Sequence, residues 1–334
     1  MKTMNGMTYG LFATLIIGVI IRQFGYLLDW EILYDTVYQR LASLMGVGIG
    51  LGIGLSLGMD GLKLVVAAII GGISTSFRYS FDQGLELIMN NEPLTVYITV
   101  ILALLALNYI LKKRTPYDIL LVPLLGITLA VVITLLVSAP TRLVVLGIQD
   151  FIVQATVYAP FFMSITIAVV MGMLLTSPIS SAAIAITLDL SGAAAGAAVV
   201  GTTAQMIGFA VQSRRDNGIG MMLSIAFGTS MLQFKNILKK PIIWLPTIIA
   251  SAVLAPFFVL VLGTTTTSAG AGMGSSGLVG PLQTLADMHY ATEAWLSVGL
   301  MVILPVILVY ALDLIFTRRG WIVRNDLAIH SDIS

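Results

Sequence analysis

The sequence predicts an all-α, polytopic membrane protein, and three observations carry that reading. Only 10% of the 334 residues are charged while 58% are hydrophobic, against about 25% charged in soluble domains. The mean hydropathy is +1.00. A water-soluble chain of this length needs a polar exterior; there is too little charge here to cover one, so lipid is the solvent that matches the outside. Uncharged apolar blocks also recur at lengths suited to a bilayer, which a helix of about 20 apolar residues crosses. The net charge of +1, from 17 basic and 16 acidic residues, excludes a strongly basic nucleic-acid binder. The chain has no cysteine and two histidines, namely His289 and His330. Disulfides, a cysteine nucleophile and a multi-histidine metal site are thereby excluded, and no cofactor or metal is expected.

The first apolar block spans residues 7–28, interrupted by Arg22 near its end. It has no small-residue cleavage site and reads as a first membrane helix rather than a removable signal. Residues 43–59 are uncharged, and Gly46, Gly48, Gly50, Gly52 and Gly54 alternate there with apolar residues. Wound as a helix, that spacing puts small residues on several faces, including the row Gly46/Gly50/Gly54, and such rows let helices approach closely. A lone apolar strand would leave its backbone unpaired in lipid. Residues 64–77 form a short block; 94–111 and 119–139 are full-length candidates. Residues 151–188 are uncharged and too long for one crossing, 190–213 follow, 241–286 must hold more than one element, and 294–312 close the series. The total is about eight to ten crossings.

Basic clusters set the orientation. They are Lys112-Lys113-Arg114, Arg214-Arg215, Lys235 with Lys239-Lys240, and Arg318-Arg319 with Arg324, whereas residues 82–92 are acidic. With the N-terminus cytoplasmic, alternation places residues 112–114 and the C-terminus on the cytoplasmic side. Arg214-Arg215 falls on that side if residues 179–190 cross, and on the other if they form a re-entrant hairpin.

The second half differs in texture. Residues 176–181 are polar and contain Pro178, and residues 264–277 are polar, glycine-rich and uncharged between apolar blocks. Irregular backbone at membrane depth is tolerated where protein buries it or it lines a wet cavity, and interrupted apolar segments point to a transport site. The expected division is a scaffold and dimerisation domain over 1–140, a transport domain over 141–318 and a cytoplasmic tail over 319–334.

The runs at residues 269–280 (AGAGMGSSGLVG), 177–185 (SPISSAAIA), 192–201 (GAAAGAAVVG), 204–210 (AQMIGFA) and 228–233 (GTSMLQ) resemble the enzyme IIC-like membrane family of the sugar phosphotransferase system. Within it they resemble the branch named after a regulator of perfringolysin O. The resemblance implies about ten transmembrane helices with two re-entrant hairpins, and a homodimer in a bacterial plasma membrane. It also implies an elevator motion of the C-terminal domain and a sugar phosphorylated by separate IIA and IIB partners. Glucose-type members carry a Gly-Ile-Thr-Glu motif whose carboxylate contacts the sugar; here Ala291-Thr292-Glu293 is a partial echo.

Candidate solute ligands follow from residue type. Gly274, Ser275, Ser276 and Gly277 suit a hairpin tip, where glycines expose backbone N–H groups and hydroxyls donate and accept. Ser177, Ser180 and Ser181 form the matching tip, or a helix N-terminus with Ser177 as cap and Pro178 in the first turn. Gln205, Gln233 and Asn236 offer amides that bind sugar hydroxyls or join helices. His289 and Glu293 share a face if helical, with Asp287 nearby, or lie in a solvated loop. Asp189 sits within or at the edge of an apolar stretch; Arg22 and Asp313 lie near helix ends, where snorkelling or an interfacial position is expected.

The leading functional expectation is a permease for a sugar or similar polyol. The alternatives are a non-transporting sensor with a permease fold, and a phosphotransfer-independent transporter of a non-sugar solute. No self-contained catalytic constellation is present; group translocation would require the separate partners.

Overall fold

The computed structural model describes residues 2–81, 84–87, 92–111 and 115–329. The basic cluster at 112–114, His330 and much of the acidic run 82–92 lie outside the described residues. The described chain is helical apart from one short hairpin. Six helices are long and apolar enough to cross a membrane, and four shorter apolar helices accompany them, so this is an all-α polytopic membrane protein. It divides into two compact units, the first ending at Leu146 and the second beginning at Gly147.

In the first unit, α1 (Lys2–Leu11) and α2 (Ile17–Leu27) are joined by a π-helical turn, Phe12–Ile16, into one span, Lys2–Leu27. Arg22 does not simply snorkel. Its guanidinium lies over the rings of Tyr26 and Tyr38, 5.4 and 4.7 Å from their centroids. A second π turn, Ile32–Val37, leads into α3 (Tyr38–Ser43). This segment is too polar and exposed to register in a search for apolar blocks.

The alternating glycines form α4 (Met45–Ser56), followed by α5 (Gly61–Ser74). Their spacing serves two neighbours at once. A Cβ on Gly52 would overlap the backbone of Gly6, and one on Gly48 would meet Thr14 and Gly10, both partners lying on the first span. Cβ atoms on Gly46 and Gly50 would overlap the carbonyls of Gly71 and Ala67 on α5. Period two on the sequence thus becomes two period-four rows on the helix, each letting a helix approach to backbone contact.

Strands β1 (Arg78–Ser80) and β2 (Gly84–Glu86) pair antiparallel, with Arg78 and Glu86 opposite each other and ion-paired at 2.5 Å. Next come α6 (Pro93–Ile110) and α7 (Asp118–Ala155). The division between the two units, Leu146/Gly147, falls within α7. Pro123 and Pro140 lie inside α7, each removing one backbone bond without ending the helix.

The second unit is built around α10 (Gly192–Gln212), 89% buried over its most apolar window, including Arg215 in the span. Before it come α8 (Pro160–Thr176) and the short α9 (Ser181–Thr187). After it come α11 (Ile219–Leu223), the π turn Ser224–Gly228, the 3-10 turn Ser230–Gln233 and α12 (Phe234–Lys239). The turn Pro241–Trp244 then opens α13 (Leu245–Leu260). Last are α14 (Ser268–Met273), α15 (Val279–Asp287) and α16 (Thr292–Arg318). Glycines again set the spacing: a Cβ on Gly201 would overlap the Ala168 carbonyl of α8, and one on Gly196 the Thr264 carbonyl.

Asp313 lies in the last two turns of α16. It is fully buried on α16, where it accepts from Arg214 Nη1 at 2.7 Å and from Arg215 Nη2 at 3.0 Å. A buried carboxylate needs such partners to stay charged, and the two arginines follow directly from the end of α10.

Candidate functional site

Two interruptions in the apolar helices meet in the second unit. The first follows α8. Thr176 ends the helix, and Ser177 turns its hydroxyl back onto the Leu174 carbonyl at 2.8 Å. The cap of α9 is therefore Ser180 rather than Ser177: its Oγ accepts from the Ala183 N–H at 3.2 Å. Pro178 precedes the cap instead of sitting in the first turn, because the chain stays extended from Ser177, with ψ of 168°.

The second interruption lies between α13 and α15. Residues 264–267 have no regular secondary structure, and their hydroxyls tie them down. Thr264 bonds Ser297 Oγ at 2.9 Å, Thr265 donates to Asp287 at 2.6 Å, and Thr267 bonds Gln283 at 3.0 Å while capping α14. After α14 the chain reverses at Gly274 and Gly277, both with φ of +53°, a conformation that glycine adopts without a Cβ clash. Here the glycine-rich composition is required by the backbone.

The two breaks touch. Ser181 Oγ donates to the Gly272 carbonyl at 2.7 Å, and Gly272 packs so closely that a Cβ would lie 2.5 Å from Ala182 Cα. One turn of α10 backs them. Thr202 Oγ1 reaches the Ala271 carbonyl at 3.3 Å, and a Cβ on Gly274 would lie 2.8 Å from the Thr202 carbonyl carbon. Ser275 donates to the Ala226 carbonyl at 2.6 Å, an acceptor in the middle of the π turn.

On the same turn of α10, Gln205 is fully buried. Its Oε1 accepts from Trp244 Nε1 at 3.0 Å and Thr247 Oγ1 at 2.8 Å, with Thr176 Oγ1 at 3.5 Å. Thr176 is also paired with Ser230 Oγ at 2.8 Å. An indole nitrogen only donates, so Trp244 dictates that Oε1 faces it. The opposite end of the amide, Nε2, has no partner, and neither do the buried hydroxyls of Thr203 and Ser276. Unpaired buried polar groups of this kind cost about 1–3 kcal/mol each; Gln212, Thr266 and Thr284 of the second unit each carry one as well. The same carboxamide ties α8, α10 and α13 together.

The remaining candidates lie elsewhere. Gln233 Nε2 donates to the Leu327 carbonyl at 3.0 Å, and Asn236 donates to Gln233 Oε1 at 2.8 Å and to the Ala328 carbonyl at 3.1 Å. Both amides clasp the C-terminal tail. His289 adopts a left-handed turn, φ +53°, between α15 and α16, so it shares no helical face with Glu293; both are exposed. Asp189 also sits exposed in a left-handed turn, φ +46°. No cluster of three or more His, Asp or Glu suited to a metal occurs among the described residues. Thr176, Thr202, Ser230, Trp244 and Thr247 escaped the sequence reading. The available signal was a tryptophan in an otherwise aliphatic helix start, three residues before a threonine.

Comparison with known proteins gives one match: the family described as "Phosphotransferase system, EIIC" matches residues 1–329. No curated protein and no solved structure gives a significant match.

Proposed function

Because this chain belongs to the phosphotransferase-system EIIC family, we propose that it is a permease carrying a sugar or similar polyol across a bacterial plasma membrane. The solute binds where the two interrupted segments meet. Ser276 and the Nε2 of Gln205 bond its hydroxyls, beside a backbone reversed at Gly274 and Gly277, while Ser181 and Ser275 hold the tip in shape. Transport proceeds as an elevator motion of the second unit, with the first unit serving as scaffold and dimerisation domain of a homodimer. Separate IIA and IIB proteins supply the phosphoryl group.

The contact between Ser181 and Gly272 carries this reading. It joins the start of α9 to α14, the short helices at the two interruptions of an apolar unit, and interrupted helices are where transporters place a solute. A reconstitution experiment tests it. Proteoliposomes are offered radiolabelled hexoses and hexitols, with and without phosphotransfer partners, and Ser275→Leu/Ser276→Leu is compared with the parent. Accumulation lost in a variant that still elutes as a monodisperse species supports the site; undiminished accumulation removes it.

A second reading is a sensor that kept the permease fold without flux. One observation favours it. The polar groups at the break are hydroxyls and an amide, and Glu293, the partial echo of the sugar-contacting carboxylate, is exposed at the start of α16. Solute binding without vesicle accumulation would select this reading. Accumulation without any phosphotransfer partner would select a phosphotransfer-independent carrier.

A further inference from the structure

The tail beyond α16 is strapped onto the second unit. Asn217 Nδ2 and Gln233 Nε2 both donate to the Leu327 carbonyl, at 2.7 and 3.0 Å. Asn236 holds the Ala328 carbonyl, and the Ile329 N–H returns to Asn217 Oδ1 at 2.9 Å. Ile322 and Leu327 are fully buried. The strap is therefore a fixed surface.

Among the described residues that surface carries more positive than negative charge. Asp313 is engaged by Arg214 and Arg215. Asp326 is engaged by Lys240 at 2.5 Å and the Val323 N–H at 2.7 Å. Asp216 accepts the N–H groups of Asn325 and Leu327 at 2.9 and 3.1 Å. Lys239, Arg318, Arg319 and Arg324 are exposed and have no acidic partner among the described residues. Apolar groups are interleaved with them: Trp321, Val323 and Leu238 are 41%, 48% and 51% exposed. Trp321 packs edge-on to Phe316 with centroids 5.1 Å apart, and the Arg319 guanidinium lies 5.1 Å from the Trp321 ring centroid. Tryptophan beside arginine is the composition of a headgroup-level anchor, and basic residues at a membrane edge attract anionic lipid.

We propose that the C-terminal strap is a preorganised binding site for the phosphodiester headgroup of an anionic phospholipid, with Arg318, Arg319, Arg324 and Lys239 as its cations and Trp321 seated at headgroup level. Holding Arg319 and Arg324 on a hydrogen-bonded strap, between Arg318 at the end of α16 and Lys239 at the end of α12, lowers the ordering cost that a loose basic tail would meet on binding. The proposal is independent of transport.

The test is native mass spectrometry of the full chain in detergent micelles holding equal amounts of phosphatidylglycerol and phosphatidylcholine. The parent should retain phosphatidylglycerol preferentially. Arg318→Gln/Arg319→Gln/Arg324→Gln should weaken that retention by roughly fivefold per arginine. Asn236→Ala removes a strap bond and no charge, and should weaken it too. Equal retention of the two lipids, or full retention in the triple variant, overturns the proposal. Full retention in Asn236→Ala overturns the preorganised site in favour of diffuse attraction. Displacement of the lipid by millimolar inorganic phosphate would make the ligand a free anion and overturn it as well. Should the triple variant aggregate, the lipid preference of the parent and the Asn236→Ala comparison decide.

Discussion

Trp244 donates its indole N–H to Oε1 of Gln205 at 3.0 Å, and that bond decides which end of the buried carboxamide stays available. Trp244→Phe keeps an aromatic ring but removes the pyrrole ring together with its donor. It should cost about 0.5–1.5 kcal/mol of stability, the usual worth of a hydrogen bond, and let the amide turn over. Solute affinity should then fall by more than the stability change explains, read by thermal shift with and without solute. Unchanged affinity would leave Gln205 as a tie between helices and nothing more.

Ser275 and Ser276 are neighbours with opposite expectations. The hydroxyl of Ser275 is bonded to Ala226, and that of Ser276 is unpartnered. Ser275→Ala strands a buried carbonyl and should destabilise by about 1–3 kcal/mol. Ser276→Ala should leave unfolding within about 0.5 kcal/mol of the parent while weakening solute binding. Thermal unfolding paired with a binding isotherm separates the two effects.

The buried carboxylate of Asp313 should be among the least replaceable polar groups of the second unit. Asp313→Ala leaves two arginines facing each other and should cost about 3–5 kcal/mol. Arg214→Ala or Arg215→Ala alone should cost less, because the other guanidinium still pairs. Denaturation in mixed micelles measures the order; equal losses for all three variants would mean the arginines do not share the load.

Asn236→Ala should loosen the strap without touching the solute. Limited proteolysis should cut residues 320–329 faster, and solute affinity should stay at the parental value. A drop in affinity at intact strap protection would return Asn236 to the binding site.

Glycine substitutions should divide by neighbour. Gly52→Ala drives a methyl into the Gly6 backbone, whereas a Cβ on Gly299 in α16 meets nothing within 4 Å. The first should destabilise by several kcal/mol or block folding, as expected of overpacking (about 1–3 kcal/mol and occasionally more). The second should be neutral or stabilising by up to about 1 kcal/mol. Unfolding of the two variants in one detergent checks both.

Most of the helical architecture was legible because lipid imposes a single rule on the exterior, and apolar length reports it directly. The glycine row of α4 was legible for the same reason: small residues at helical spacing have few other uses. The segment containing α3 was not legible, since its side chains are polar and its burial low. The continuity of α7 beyond residue 139 was not legible from apolar length, because Arg142 and Asp150 interrupt the apolar run while the helix continues to Ala155. At the candidate site, the reversals at Gly274 and Gly277 were legible from composition. The roles of Gln205 and Gln233 were not separable beforehand, because an amide's partners depend on tertiary neighbours: Trp244 for one and the Leu327 carbonyl for the other. His289 and Glu293 were four apart in sequence, but a left-handed turn removed the helix that would have aligned them.

The glycine contacts of α4 also bear on how this protein can change. Where a side chain crowds another, evolution can trim the neighbour and restore the fit. At Gly46, Gly50 and Gly52 the obstructing atoms are main-chain carbonyls, present whatever residue is encoded there. No second-site replacement can shrink them, so these three positions have no suppressors within the first unit short of moving a whole helix. Gly54 differs, because a Cβ there would meet only the side chains of Ala67 and Leu64, so compensating partners exist; Gly48 meets the Thr14 methyl first but the Gly10 carbonyl almost as closely.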